Sequence, residues 1–171
     1  MLFVILALMP YYRCDLEAPL PPETVTQRLQ AMIGERPGFL DQLQNAWNRK
    51  AGPAFYGSLR DGSFRISRNI RYNNSFLPQI RGRIEQTGGG TRVALVMFVH
   101  PAVAVFMLVW ISIAASIVSV VFRASAGPYA TYILLGMLLF AIVLPVAAFY
   151  PEAFKAKRLI ASALGNTGVA G

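Results

Sequence analysis

A single thiol and a single imidazole limit the chemistry this chain advertises. Cys14 has no histidine at a nucleophile–base spacing, and His100 has no clustered Cys, Asp or Glu with which to hold a metal. Gly88-Gly89-Gly90 lacks the Lys and Ser/Thr that follow a phosphate-binding loop, and it falls where a strand turns back. No acids are paired for general acid–base work, nothing resembles a nucleophile elbow, and no cofactor motif is present. A site assembled from distant segments would leave no such trace. What does accumulate is arginine: Arg60, Arg65, Arg71, Arg81, Arg83 and Arg92, with no lysine among them. Arginine presents a planar donor fork suited to phosphate and carboxylate, whereas lysine acts as a point charge. The chemistry on offer is anion binding.

The elements that position these arginines follow from period-two patterns. Tyr12, Cys14, Leu16 and Ala18 alternate with Tyr11, Arg13, Asp15 and Glu17, as in a half-buried strand. Pro19–Pro22 stops it, and Val25, Leu29, Met32 and Ile33 then fall on one helical face. Phe39, Leu40, Leu43, Ala46 and Trp47 repeat that spacing as a shorter helix. Residues 54–99 read as a four-strand antiparallel meander. Asp61-Gly62 is a two-residue hairpin signal that pairs Arg60 with Ser63 and Gly57 with Ile66. At Asn73-Asn74-Ser75 a three-residue loop would pair Tyr72 with Phe76 and keep Phe76, Ile80 and Ile84 on the core face. The last turn, Thr87–Gly90, sets Glu85 opposite Arg92.

In this register all six arginines share the outward face, beside Glu85 and Asp61. The face is either a solvated surface or a site for anionic lipid head groups or an acidic partner. Nucleic acid fits poorly, because the aromatic residues face the core instead of interleaving with the arginines. Arg68 falls on the core side opposite Phe55, at an edge or stacked on that ring. Val93–Val99 is apolar on both parities and is expected to be covered on both faces.

Two uncharged apolar runs of 22 residues, 101–122 and 129–150, follow the meander. At about 1.5 Å per residue, either can cross a hydrocarbon core of roughly 30 Å. The connector 123–128 is too short to recross, so the runs form an antiparallel hairpin. Twelve basic and seven acidic residues precede it, and Lys155, Lys157 and Arg158 follow against Glu152, while the connector holds Arg123 alone. By the positive-inside rule both termini are cytoplasmic. The lone Cys14 fits a reducing compartment. No ionisable side chain lies within either run, which argues against a transporter or proton relay. Ser112, Ala115, Ser116 and Ser119 put small residues on one face of the first span, and Gly136 offers a matching site in the second. Self-association through that face is a less economical use of it. His100 is read as an interfacial residue.

The domains are therefore an apolar extension over 1–10, an α+β domain over 11–99, the hairpin over 101–150, and a basic tail over 151–171. The tail reads as a short amphipathic helix lying in the interface. The extension either lengthens the first strand, lies at the interface, or precedes a true start at Met9. The fold class is α+β: an N-terminal strand, one or two helices and the meander, then an all-α two-helix hairpin and the tail helix.

The run from Phe64 to Pro78, with Ile80-Arg-Gly82, Gly90-Thr-Arg-Val93 and His100-Pro101, resembles a group of uncharacterised bacterial membrane proteins with a small α+β domain before two spans. The likeness covers roughly residues 55–110. It implies architecture and brings no catalytic residues. Its most distinctive part, Asn74-Ser75-Phe76-x-Pro78, either shapes the middle turn or, with Asn73, forms a contact loop for a partner. Three functions remain open: a non-enzymatic inner-membrane protein that binds anionic lipid or a protein partner; an accessory subunit of a larger membrane complex; and a membrane-bound enzyme with a site invisible in sequence.

Overall fold

The computed structural model describes residues 9–35, 52–123 and 128–165. The fold is α+β, and the described residues form a six-stranded mixed sheet and three helices. The strands are β1 (Tyr11–Ala18), β2 (Ile33–Gly34), β3 (Phe55–Arg60), β4 (Ser63–Arg68), β5 (Gln79–Thr87) and β6 (Gly90–Phe98). Helix α1 spans Pro22–Met32, α2 Pro101–Arg123 and α3 Pro128–Ala163. The sheet order is β1-β6-β5-β4-β3-β2, antiparallel throughout except where β2 joins β3 in parallel. The expected helix over Phe39–Trp47 lies outside the described residues, as do residues 1–8 and 166–171.

Two of the expected turns set the register as the alternation requires. Asp61 and Gly62 both take positive φ, 49° and 68°, the geometry of a two-residue hairpin, and Arg60 pairs with Ser63. Glu85 pairs with Arg92 across β5 and β6. The middle connection differs. β4 ends at Arg68 and β5 begins at Gln79, so ten residues join them, and Tyr72 does not pair with Phe76. Ile66 instead faces Ile80, and Phe76 reaches the core from the loop. Asn74 holds that loop: its backbone carbonyl accepts from Leu77 and its side-chain oxygen from Phe76 N at 2.9 Å. Ile33, expected at the end of α1, leaves the helix to pair with Phe55 in β2.

One face of the sheet carries the core. Leu16, Phe64, Ile66, Ile80, Val93, Leu95 and Met97 are buried there, beneath Val25 and Leu29 of α1. Close packing requires glycine at position 82, where a Cβ would stand 2.0 Å from the Phe64 ring. The other cover is the last part of α3. The described part of the 151–171 tail does not lie apart as a separate interfacial helix: α3 runs unbroken through Pro145 and Pro151 to Ala163. Phe149, Ala153, Ala156, Ile160 and Leu164 form its buried stripe against the sheet. Apolar side chains at that spacing lose more water contact against a sheet than in an interface, so the stripe docks. Arg28 of α1 donates to the carbonyl of Ala163 at 3.2 Å, satisfying an acceptor left over at the end of α3.

The opposite face of the sheet is open. Ala94, Val96 and Phe98 are half-exposed there, so β6 is covered on one side only. His100 acts as the cap of α2: Ala102 N donates to its Nδ1 at 3.2 Å, and its carbonyl takes the first helical bonds. Both α2 and the first part of α3 are long and apolar enough to cross a membrane. Phe106, Val120, Tyr132, Ile133 and Phe140 are each more than 60% exposed, so little of the described chain covers them.

Candidate functional site

Pairing across β3, β4, β5 and β6 assembles the arginine face row by row. Arg65 sits opposite Arg81, which sits opposite Val96; Arg60 sits opposite Ser63, then Arg83, then Ala94. Long side chains stand on three strands around short ones. The result is a depression of about 450 Å³ walled by Arg60, Arg65, Arg81 and Arg83, with Ser63 and Ala94 among its small residues. Among the described residues no carboxylate lies within ion-pair distance of these four. Arg81 lies over the Phe98 ring at 4.8 Å, which orients its guanidinium.

The other two expected members behave differently. Arg92 is on the same face but is paired with Asp15 of β1, whose carboxylate holds the guanidinium above its ordinary pKa through a hydrogen bond and its charge. Arg71 is not on the sheet: it is exposed in the ten-residue connection, because the three-residue turn that would have placed it there does not form. Arg13, not among the expected six, belongs to the face, because β1 pairs with β6 and brings it level with Val96, Arg81 and Arg65. Its outward parity was visible in the sequence; the neighbour of β1 was not.

The rows have an order relative to α2. Tyr11, Phe98, Gln79 and Ser67 form the row next to it. The rows of Val96, Ala94 and Arg92 lie about 7, 13 and 20 Å further along the strands, at roughly 3.3 Å per residue. Aromatic rings gather at the same end. Tyr12 meets Phe154 edge-on at 5.4 Å, Phe149 meets Tyr150 at 5.3 Å, and Tyr150 OH donates to the carbonyl of Tyr11.

A second charged cluster lies on the covered face, and the sequence offered no sign of it. Glu152 has a side chain 3% exposed, just beyond the uncharged run of α3. It accepts from Arg68 Nη1, from Tyr72 OH at 2.5 Å and from Lys155 Nζ at 3.1 Å. Arg68, opposite Phe55 as expected, is thus bound to a carboxylate instead of stacked on a ring. Burial alone would raise the Glu152 pKa. The hydrogen bonds from Tyr72 and Lys155 and the charges of Arg68 and Lys155 outweigh it and hold the carboxyl below its ordinary value. The same bond, with burial, pushes Tyr72 up. Asn74 adds to the junction by donating to the carbonyl of Ala148 at 3.0 Å. The expected contact loop, Asn73, Asn74, Ser75 and Phe76, therefore makes its described contacts within the chain.

The small residues of the spans are not brought together. Ser112, Ser116 and Ser119 are exposed, and each hydroxyl donates to a carbonyl one turn earlier in α2 at 2.8 Å. A Cβ at Gly136 would meet nothing within 4 Å. The side chains of α2 that do become buried are Met107 and Ile111, on another side of the helix. A hydroxyl satisfied by its own helix has no need of a partner. Ala115 is half-buried. Among the described residues no group of three or more His, Cys, Asp or Glu could hold a metal.

No family model matches this chain, and no curated protein does. Among solved structures it is similar to the crystal structure of protein NE0264 from Nitrosomonas europaea, at 12% identity over 55% of this chain and 77% of that one. The TM-score is 0.32, and a likeness so loose carries no argument about fold or activity.

Proposed function

We propose that this chain is a membrane-mounted binding protein whose arginine face takes up anionic lipid head groups at the cytoplasmic side of a bacterial inner membrane. The observation that carries this reading is the depression walled by Arg60, Arg65, Arg81 and Arg83, four guanidinium groups without a carboxylate partner among the described residues. Supporting it are the exposed apolar helices, the positive charge on the outer flanks of the hairpin, and the aromatic side chains where sheet meets spans. A basic residue near such a surface contributes about 1 kcal/mol, and attraction decays over a Debye length of roughly 8 Å. The row of Arg13, Arg65 and Arg81 is therefore the strongest contributor, the row of Arg60 and Arg83 weaker, and Arg92 weakest.

Arginine modification by phenylglyoxal, mapped by mass spectrometry on the full chain in nanodiscs, tests this order. Replacing phosphatidylcholine by a mixture with phosphatidylglycerol should protect Arg65 and Arg81 most and Arg92 least. Equal labelling in both lipids would end the reading. A second reading, an accessory subunit of a larger membrane complex, draws on Ser112, Ser116 and Ser119 remaining open on α2. It requires a stoichiometric partner in mild detergent that Ser116→Leu removes.

A further inference from the structure

Where the uncharged run of α3 ends, the loop Tyr72–Phe76 and the helix border an open hollow of about 520 Å³. Its walls change character along the helix axis. Leu144, Ala147 and Ala148 form the apolar end; Tyr72, Asn73 and Lys155 form the polar one. The two alanines leave the space that larger side chains would fill.

The polar end is cationic. The Glu152 carboxylate is taken up by Arg68, Tyr72 and Lys155, so it offers no free negative charge to repel an anion. Lys155 is 56% exposed and spends one described hydrogen bond on Glu152, which leaves its other ammonium protons for a ligand. A cation and an apolar wall thus follow one another over about 16 Å from Lys155 back to Leu144, at roughly 1.5 Å per residue.

We infer that this hollow is a site for one glycerophospholipid, held with its phosphodiester at Lys155. One acyl chain lies along Ala147 and Leu144 at the apolar end. The inference rests on the membrane reading of α3 and is independent of the arginine face, which is on the other side of the sheet. It assigns the Asn74 loop a role as one wall of the site.

Native mass spectrometry tests it, using the full chain delipidated in mild detergent and titrated with palmitoyl-oleoyl phosphatidylglycerol. One adduct per chain should saturate before any others form. Ala147→Phe, which fills the hollow, and Lys155→Met, which removes the charged donor, should each weaken that adduct about tenfold or more, the scale of a lost charged hydrogen bond. Leu144→Asn, at an exposed position, provides a variant whose folding does not depend on the Glu152 cluster. The paired reversal Arg65→Glu with Arg81→Glu should leave the adduct intact. Absence of a saturable adduct overturns the inference, as does one indifferent to all three substitutions. Loss of the adduct on the arginine reversal would assign the lipid to the open face and overturn this site while favouring the other.

Discussion

The two faces of the sheet treat arginine in opposite ways. Arg68, on the covered face, is taken up by a carboxylate from α3 that is itself 3% exposed. Arg60, Arg65, Arg81 and Arg83, on the open face, have no described carboxylate partner and surround a depression. Burial accounts for the difference. A charge removed from water must be paired, whereas one left in water can stay unpaired at little cost and remain available. The covered face therefore uses its charge to hold α3 to the sheet, and the open face leaves its charge exposed.

Four predictions bear on this contrast, from the largest effect on stability to the smallest. Glu152→Ala leaves the part-buried Arg68 without its partner and should cost roughly 3 kcal/mol by chemical denaturation in detergent, the low end for a buried pair. Because the folded Glu152 pKa is depressed, its contribution is complete above the ordinary carboxyl range and is lost as pH falls through the folded value. Acid scans should therefore show a loss of melting temperature that Glu152→Gln removes. An unchanged acid limb would mean that the cluster does not hold α3.

Gly82→Ala forces a methyl group against the Phe64 ring and should cost about 1–3 kcal/mol, the usual range for overpacking. It also displaces the strand between Arg81 and Arg83, so labelling of both should change with it. Asn74→Ala removes the turn bond to Phe76 and the bond to Ala148, at about 1 kcal/mol each. Faster proteolysis within 70–78 is its readout. At the small end, Arg65→Glu with Arg81→Glu should shift stability by no more than about 0.5 kcal/mol while abolishing selectivity for phosphatidylglycerol. A large loss of stability from this pair would erase the distinction between the faces.

Legibility followed the range of the interactions. The hairpins at Asp61-Gly62 and Thr87–Gly90 could be read because a short loop and strict alternation leave one acceptable register. The same alternation places Arg60, Arg65, Arg81 and Arg83 on one face. The middle turn was misread because Asn74 bonds to Ala148, 74 residues away, and a local pattern holds no record of that partner. The same holds for Arg68 and Tyr72, which lie 84 and 80 residues from Glu152. The serine stripe differs in kind: spacing puts small residues on one face of α2 but does not say which face turns inward.

By itself, the sequence determined five of the six described strands and two of their turns, the two apolar helices, and the gathering of arginine on one side of the sheet. These depend on periodicity and on residues near one another in the chain. Only the tertiary structure decided that the basic tail is the end of α3 and closes the core. It alone set Glu152 against Arg68, brought Arg13 into the arginine face, and opened a hollow beside Ala147. Each of these depends on which surfaces bury one another, and that choice is made by the folded chain as a whole.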